Sequence, residues 1–236
     1  MKNNSYLGMF SDALRRVGKN AVTAGIRLGL MLGLTQNYQP LPWLNIDSAG
    51  RSDSSKLRWD AIRKEIKAEY TTALDIGSSL GYFTFKLAEL GIECTGIESR
   101  WLSYKLSSKI KDLCSFRKAA FIKKELNPAN VHSLPEADIV ICLSVFHHFV
   151  RNYGFDSAKQ MLRMIIKKTK SVLFFETGQS DEKYMGWAQF LPEMGDMPQH
   201  WIERFLYEIG AARVKHLGTF DTHLGGVKRH LFAAFK

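Results

Sequence analysis

Three groups of residues in this chain have the types and spacing to do chemistry. The first is Ala73-Leu74-Asp75-Ile76-Gly77-Ser78-Ser79-Leu80-Gly81, an apolar run that ends in an acid and then turns through two glycines. Glycines at such a place let the backbone turn tightly and approach a ligand beside a helix N-terminus. A dinucleotide site would read G-x-G-x-x-G and cradle a pyrophosphate there. Here the pattern is D-x-G-x-x-x-G, and an acid at a strand end suits a cationic group better than a phosphate. The second group is Glu98, 23 residues beyond Asp75, where a carboxylate can accept both hydroxyls of a ribose. The third is Ser144-Val145-Phe146-His147-His148-Phe149. Histidine titrates near neutrality and can take the proton of a hydroxyl.

S-adenosylmethionine (SAM) combines an adenosine with an α-ammonium and a sulfonium, which matches the first two groups. Asp75, Gly77, Ser78 and Gly81 are expected at its methionine end and Glu98 at its ribose; Ser144 is the remaining cofactor candidate, and Glu125, Leu126 and Asn127 are candidates for the adenine pocket. Adjacent residues point in different directions, so His148 is favoured over His147 as the base, with Glu176 or Asp221 to orient it. Arg100, Lys228 and Arg229 would serve an anionic acceptor, with His223 at the same rim. Tyr184 and Trp187, in the segment 178–198, can stack on sugar faces or fill a core. No tight carboxylate cluster suggests a metal.

Elements must bring these groups together. Strand-like Thr72–Ile76 leads to a helix Phe83–Leu90, strand Cys94–Ile97 to a helix Leu102–Leu113, and a short strand follows at Ala119–Ile122. Strand Ala137–Leu143 precedes helix Asp156–Lys168, strand Ser171–Glu176 and helix Gln199–Ile209. The alternation predicts an α/β fold with a doubly wound, mostly parallel sheet. The last strands, Val214–Phe220 and His230–Phe235, are joined by a short polar segment and should form an antiparallel hairpin. Seven strands ending in such a hairpin are the Rossmann-like class I methyltransferase arrangement. Ligands bind outside the carboxyl ends of strands in such sheets, which is where the three groups fall.

The 236 residues suffice for that domain, 71–236, preceded by a connector and helix at 37–70 and an N-terminal segment at 1–36. Ser54 or Ser55 is expected to cap the helix, which runs to about Lys67 with Leu57, Trp59, Ile62 and Ile66 apolar. In the N-terminal segment Tyr6, Leu7, Phe10, Leu14 and Val17 recur at helical spacing beside Arg15, Arg16 and Lys19. Gly25, Gly29 and Gly33 form a bare stripe that permits close helix approach. Such a segment can lie on a membrane surface or a partner, or pack on its own domain. Its apolar run, Ala21–Leu34, is too short to span a bilayer.

Formal net charge is +10, which favours anionic partners without choosing among nucleic acid, phosphorylated glycans and acidic membranes. Cys94, Cys114 and Cys142 are scattered without metal spacing, and no secretory signal is visible, which fits a cytoplasmic protein, peripheral to the inner face of a membrane if the N-terminal segment binds there.

Ser144-Val145-Phe146-His147-His148 and Gly218-Thr219-Phe220-Asp221-Thr222-His223-Leu224 resemble the methyltransferase domain of bacterial O-antigen chain-terminating proteins, from about Asp75 onward. The family caps polysaccharide chains, methylating a terminal sugar or a terminal phosphate added by a fused kinase. The resemblance implies a SAM-dependent O-methyltransferase acting on a glycan or glycolipid. No kinase follows Lys236, so a sugar hydroxyl is the expected acceptor. An RNA methyltransferase, with Trp187 and Trp201 stacking on bases, is the first alternative, and a non-catalytic adaptor working through residues 1–35 the second.

Overall fold

The computed structural model describes residues 17–18, 20–29, 39–47, 52–222 and 226–236. A seven-stranded sheet is formed by β1 (Thr72–Ile76), β2 (Glu93–Glu98), β3 (Ala119–Lys123), β4 (Ala137–Leu143), β5 (Thr169–Glu176), β6 (Arg213–Asp221) and β7 (Lys228–Phe235). Their order is β3-β2-β1-β4-β5-β7-β6; β7 alone runs antiparallel to its neighbours, β5 and β6. The chain winds outward from β1 in one direction and restarts at β4 in the other. The crevice at that reversal, outside the carboxyl ends of β1 and β4, is where such sheets bind ligands.

The central strands are buried on both faces, so they read as continuous apolar runs. Successive side chains serve opposite faces. Leu173 and Phe175 of β5 pack with Phe146, Phe205 and Leu206, from α4 (Phe146–Tyr153) and α6 (Pro198–Glu208), while Val172 and Phe174 pack with Trp59, Ile62, Phe83 and Leu87, from α1 (Ser52–Arg63) and α2 (Tyr82–Glu89). The remaining helices are α3 (Trp101–Cys114) and α5 (Phe155–Lys168). Cys94 and Cys142 are core residues, and burial pushes the Cys142 thiol up to about 12.

Several local expectations need correction. Ser54 and Ser55 do not cap α1; the helix starts at Ser52 and ends at Arg63, and Ser54 Oγ donates to the carbonyl of Asp221 at 2.5 Å. Leu57 faces water at 56% exposure, whereas Trp59 and Ile62 are buried. The histidine run, which the sequence places only at the end of the fourth strand, begins α4, because Phe146, Phe149 and Val150 share one buried stripe at helical spacing.

Residues 20–29 are helical, and Ile26, with no exposed surface, packs with Leu80, Phe85, Ile110 and Ala119 of the sheet domain. Burying one such side chain contributes about 1.5–3 kcal/mol. Among the described residues, nothing lies within 4 Å of a Cβ placed on Gly25, so no described helix packs on that part of the glycine stripe. Arg15, Arg16, Lys19 and Gly33 lie outside the described residues. Among the described residues, no helix is long and apolar enough to cross a membrane.

Candidate active site

A cleft of about 700 Å³ opens over the carboxyl ends of β1, β2, β4 and β5. On the cofactor side, Gly77 turns at φ 71°, and a Cβ there would stand 2.5 Å from Val145 Cγ2, so only glycine fits between β1 and the entry to α4. Glu98 is 6% exposed; its Oε2 accepts from the Ser79 N–H at 2.9 Å and its Oε1 from the Arg100 N–H at 2.7 Å. Each carboxylate oxygen retains a further acceptor site toward the cleft. Glu125 and Leu126 also line the cleft, whereas Asn127 is turned into a reciprocal pair with Asn130.

Asp75 stands behind this wall. Its Oδ2 accepts from the Thr84 hydroxyl at 2.7 Å and the Thr84 N–H at 3.1 Å, joining β1 to α2. Burial pushes its carboxyl up to about 6, against the lowering effect of those two hydrogen bonds; the nearby charge of Glu98 adds a smaller upward push. Gly81, at φ 91°, caps α2 beneath Phe121. Ser78 is buried with an Oγ that has no hydrogen-bond partner, inside the turn and facing Gly96. Of the expected cofactor residues, Gly77, Glu98 and Ser144 therefore line the cleft, and Asp75, Ser78 and Gly81 shape it from behind. A glycine-floored turn beside a pre-oriented carboxylate fits the adenosine and methionine parts of SAM.

The acceptor side is built from side chains that are far apart in sequence. Ser144 sits in the left-handed region at φ 59°. Its Oγ donates to Glu176 Oε1 at 2.8 Å and accepts from Arg229 Nη1 at 3.1 Å. Glu176 Oε2 accepts from Arg58 Nε at 2.6 Å, and both residues are almost wholly buried. Arg229 grips both oxygens of Glu182, at 2.8 and 2.7 Å, again in full burial. Arg58, Glu176, Ser144, Arg229 and Glu182 thus form one continuous chain of hydrogen bonds under the cleft.

Above it, His147 is buried, its Nδ1 accepting from the Gly178 N–H at 3.0 Å. That bond assigns the neutral ring's proton to Nε2. The His147 ring packs against His148 at 4.2 Å and Trp187 at 4.3 Å, with planes tilted by 46° and 40°. His148 is exposed at the cleft mouth, and partial burial, with Arg151 and Arg229 nearby, holds its pKa below the usual histidine value.

Other expected residues lie elsewhere. β6 is the outermost strand, with β7 between it and β5, so parallel direction does not bring Asp221 to the cleft; its carboxylate is exposed and faces Lys228 at 3.8 Å. Tyr184 projects fully into solvent, while Trp187 is buried beneath Arg229. Arg100 lines the mouth, and His223 lies outside the described residues. Trp201 stacks on Phe205 at 5.0 Å, a core role that leaves it little face for a base. Among the described residues no three histidine, cysteine or acidic side chains converge on a metal position.

Arg58, Glu182 and Thr84 were not legible as site residues. Arg58 had one signal, a charge on the same helical stripe as Ser54, Ser55 and Ile62. Glu182 sits in a polar run that marks nothing.

No family model matches the chain. Two curated sequences of the O-antigen chain terminator bifunctional methyltransferase/kinase WbdD from Escherichia coli are each 28% identical to it over 161 residues. The match covers 67% of this chain but only 21% of those proteins. A 2.2 Å crystal structure of WbdD superposes with a TM-score of 0.68 at 25% identity, over 84% of this chain and 44% of that one. Magnesium protoporphyrin IX methyltransferase (ChlM) from Synechocystis, solved with bound SAH, shares the fold at 17% identity, 77% and 81% coverage and a TM-score of 0.52. Sheet order, cleft and similarity agree: this chain has the Rossmann-like class I methyltransferase fold and resembles WbdD, of which it spans less than half the length.

Proposed function

We propose that the chain methylates a sugar hydroxyl of a cell-surface glycan, as an O-methyltransferase of polysaccharide chain modification. The observation that carries this is His148, exposed at the cleft mouth with its pKa held low and therefore neutral near pH 7. A neutral imidazole can accept the proton that a hydroxyl must lose, whereas an anionic acceptor needs no base. Of the cations expected to serve an anion, Arg229 is committed to the buried carboxylate of Glu182. That favours a hydroxyl over a phosphate. The similarity to a chain terminator named for O-antigen supports a glycan acceptor.

SAM, when bound, supplies an electrophilic methyl group on its sulfonium. The protein's own work is alignment: Glu98 would hold the ribose, the Gly77 turn would admit the methionine part, and His148 would take the hydroxyl proton as the acceptor oxygen attacks the methyl group. Trp187 and His147 buttress that imidazole from behind.

Calorimetric titration with SAM and SAH, followed by labelled-methyl transfer to glycans ending in neutral or phosphorylated sugars, tests the reading. One-site binding with transfer to the neutral termini is expected. Transfer confined to phosphorylated termini overturns the hydroxyl assignment.

A further inference from the structure

We infer that Arg58, on a helix outside the strand-and-helix alternation, is a positioning residue for the reaction, holding through Glu176 and Ser144 the point from which the histidine-bearing helix starts. The inference rests on the reading of His148 as the base. Its support is geometric.

Arg58 uses every nitrogen of its guanidinium. Nε donates to Glu176, Nη1 to the carbonyls of Ser54 and Asp221 at 3.3 and 3.1 Å and to Ser54 Oγ, and Nη2 to the Phe220 carbonyl at 3.4 Å. The group also lies 5.3 Å over the Phe220 ring. One planar fork therefore ties α1, the carboxyl end of β5 and the end of β6 together, a task the point charge of lysine cannot reproduce.

Glu176 passes that constraint on. Its second oxygen takes the Ser144 hydroxyl, and its main-chain carbonyl takes the Ser144 N–H at 2.8 Å. Ser144 is thus bound at both ends while its backbone sits in a region that non-glycine residues rarely adopt. Such a conformation persists only where the surroundings over-determine it. The strained residue lies two positions before α4, whose first turn carries His147 and His148 and closes with the His148 N–H donating to the Val145 carbonyl at 2.9 Å. Releasing Arg58 frees Glu176, then Ser144, then the angle at which α4 leaves β4. Of the expected cofactor residues lining the cleft, Ser144 takes part in these bonds, whereas Gly77 and Glu98 are held by others.

The test compares wild type with Arg58→Lys, which keeps charge and loses the fork, and with Arg58→Met/Glu176→Gln, which removes both buried charges and leaves neither stranded. Thermal unfolding reports folding, SAH calorimetry the cofactor wall, and NMR of the labelled His148 imidazole, identified by its loss in His148→Gln, the position of the base. Among the described residues, Arg151 and Arg229 are the charges that act on that ring, and His147 packs against it. Both variants are expected to fold and to bind SAH within about threefold of wild type, with the His148 midpoint moved up by about half a pH unit as the ring gains water. An unchanged midpoint in a folded variant overturns the inference and leaves Arg58 a purely structural anchor. So does a loss of SAH binding in either variant equal to the change at His148, because the effect is then global. Failure of wild type to bind SAH would instead strike the methyltransferase assignment, and the midpoint comparison would stand apart from it.

Discussion

The two walls of the cleft hold their carboxylates by different means. On the cofactor wall, Asp75 and Glu98 are fixed by groups no more than 19 residues away: the amides of Ser79 and Arg100, and the amide and hydroxyl of Thr84. On the acceptor wall, Glu176 and Glu182 are fixed by arginine side chains 118 and 47 residues away. Backbone amides come with the turn that the sequence already encodes. An arginine arrives only when distant elements have packed. The first wall is thus a local device with a fixed ligand, and the second a tertiary device in which a partner can be exchanged.

The largest effect expected from separating the walls is kinetic. His148→Ala should lower kcat by about 10²–10⁴-fold, with SAH affinity unchanged by calorimetry. An equal loss of affinity would mean that the walls are not independent. In wild type, kcat/KM should rise with pH through a limb below the usual histidine value, since protonated His148 cannot accept a proton and its pKa is lowered.

Next comes the tertiary pairing. Glu182→Ala strands the buried Arg229 guanidinium and should destabilise by about 3–5 kcal/mol in denaturant unfolding. Glu182→Met with Arg229→Met removes both charges and should recover most of that loss. Recovery identifies the pair as a specificity device rather than a source of stability.

On the cofactor wall the sign of the pH dependence is set by burial. Asp75 has a folded-state pKa of about 6, against an ordinary 3.8, so the folded state prefers the protonated acid. Its contribution to stability is fully present below the unfolded value and is lost as pH rises through about 6. At about 1.4 kcal/mol per pH unit, ionising it costs about 3 kcal/mol. Thermal scans of Asp75→Asn should lack that decline between pH 4 and 7. An unchanged decline would place its origin in another group.

The smallest effect is expected at the rim. Tyr184→Ala should change stability by less than about 0.5 kcal/mol, since the ring touches only water. A raised KM for a glycan acceptor would show that the outer face of the segment 178–198 joins the acceptor wall.

Legibility follows the same division. The acid-glycine turn, Glu98 at the next strand end and the paired histidines could be read from sequence because spacing along one chain fixed their places. Asp221 could not be placed. Its strand runs in the expected direction, but β7 inserts between β5 and β6 and carries it to the sheet edge. Arg58 was hidden for the opposite reason: a surface-like residue type, in a helix read as preceding the methyltransferase domain, is folded under the cleft.

By itself, the sequence determined the alternation of strands and helices, the antiparallel close, the glycine turn and the acid at the end of the second strand, all of them set by periodicity and local backbone sterics. The tertiary structure alone decided which charges gather at the cleft. That depends on which side chains meet in the interior, where an ion out of water must find its opposite or lose its charge.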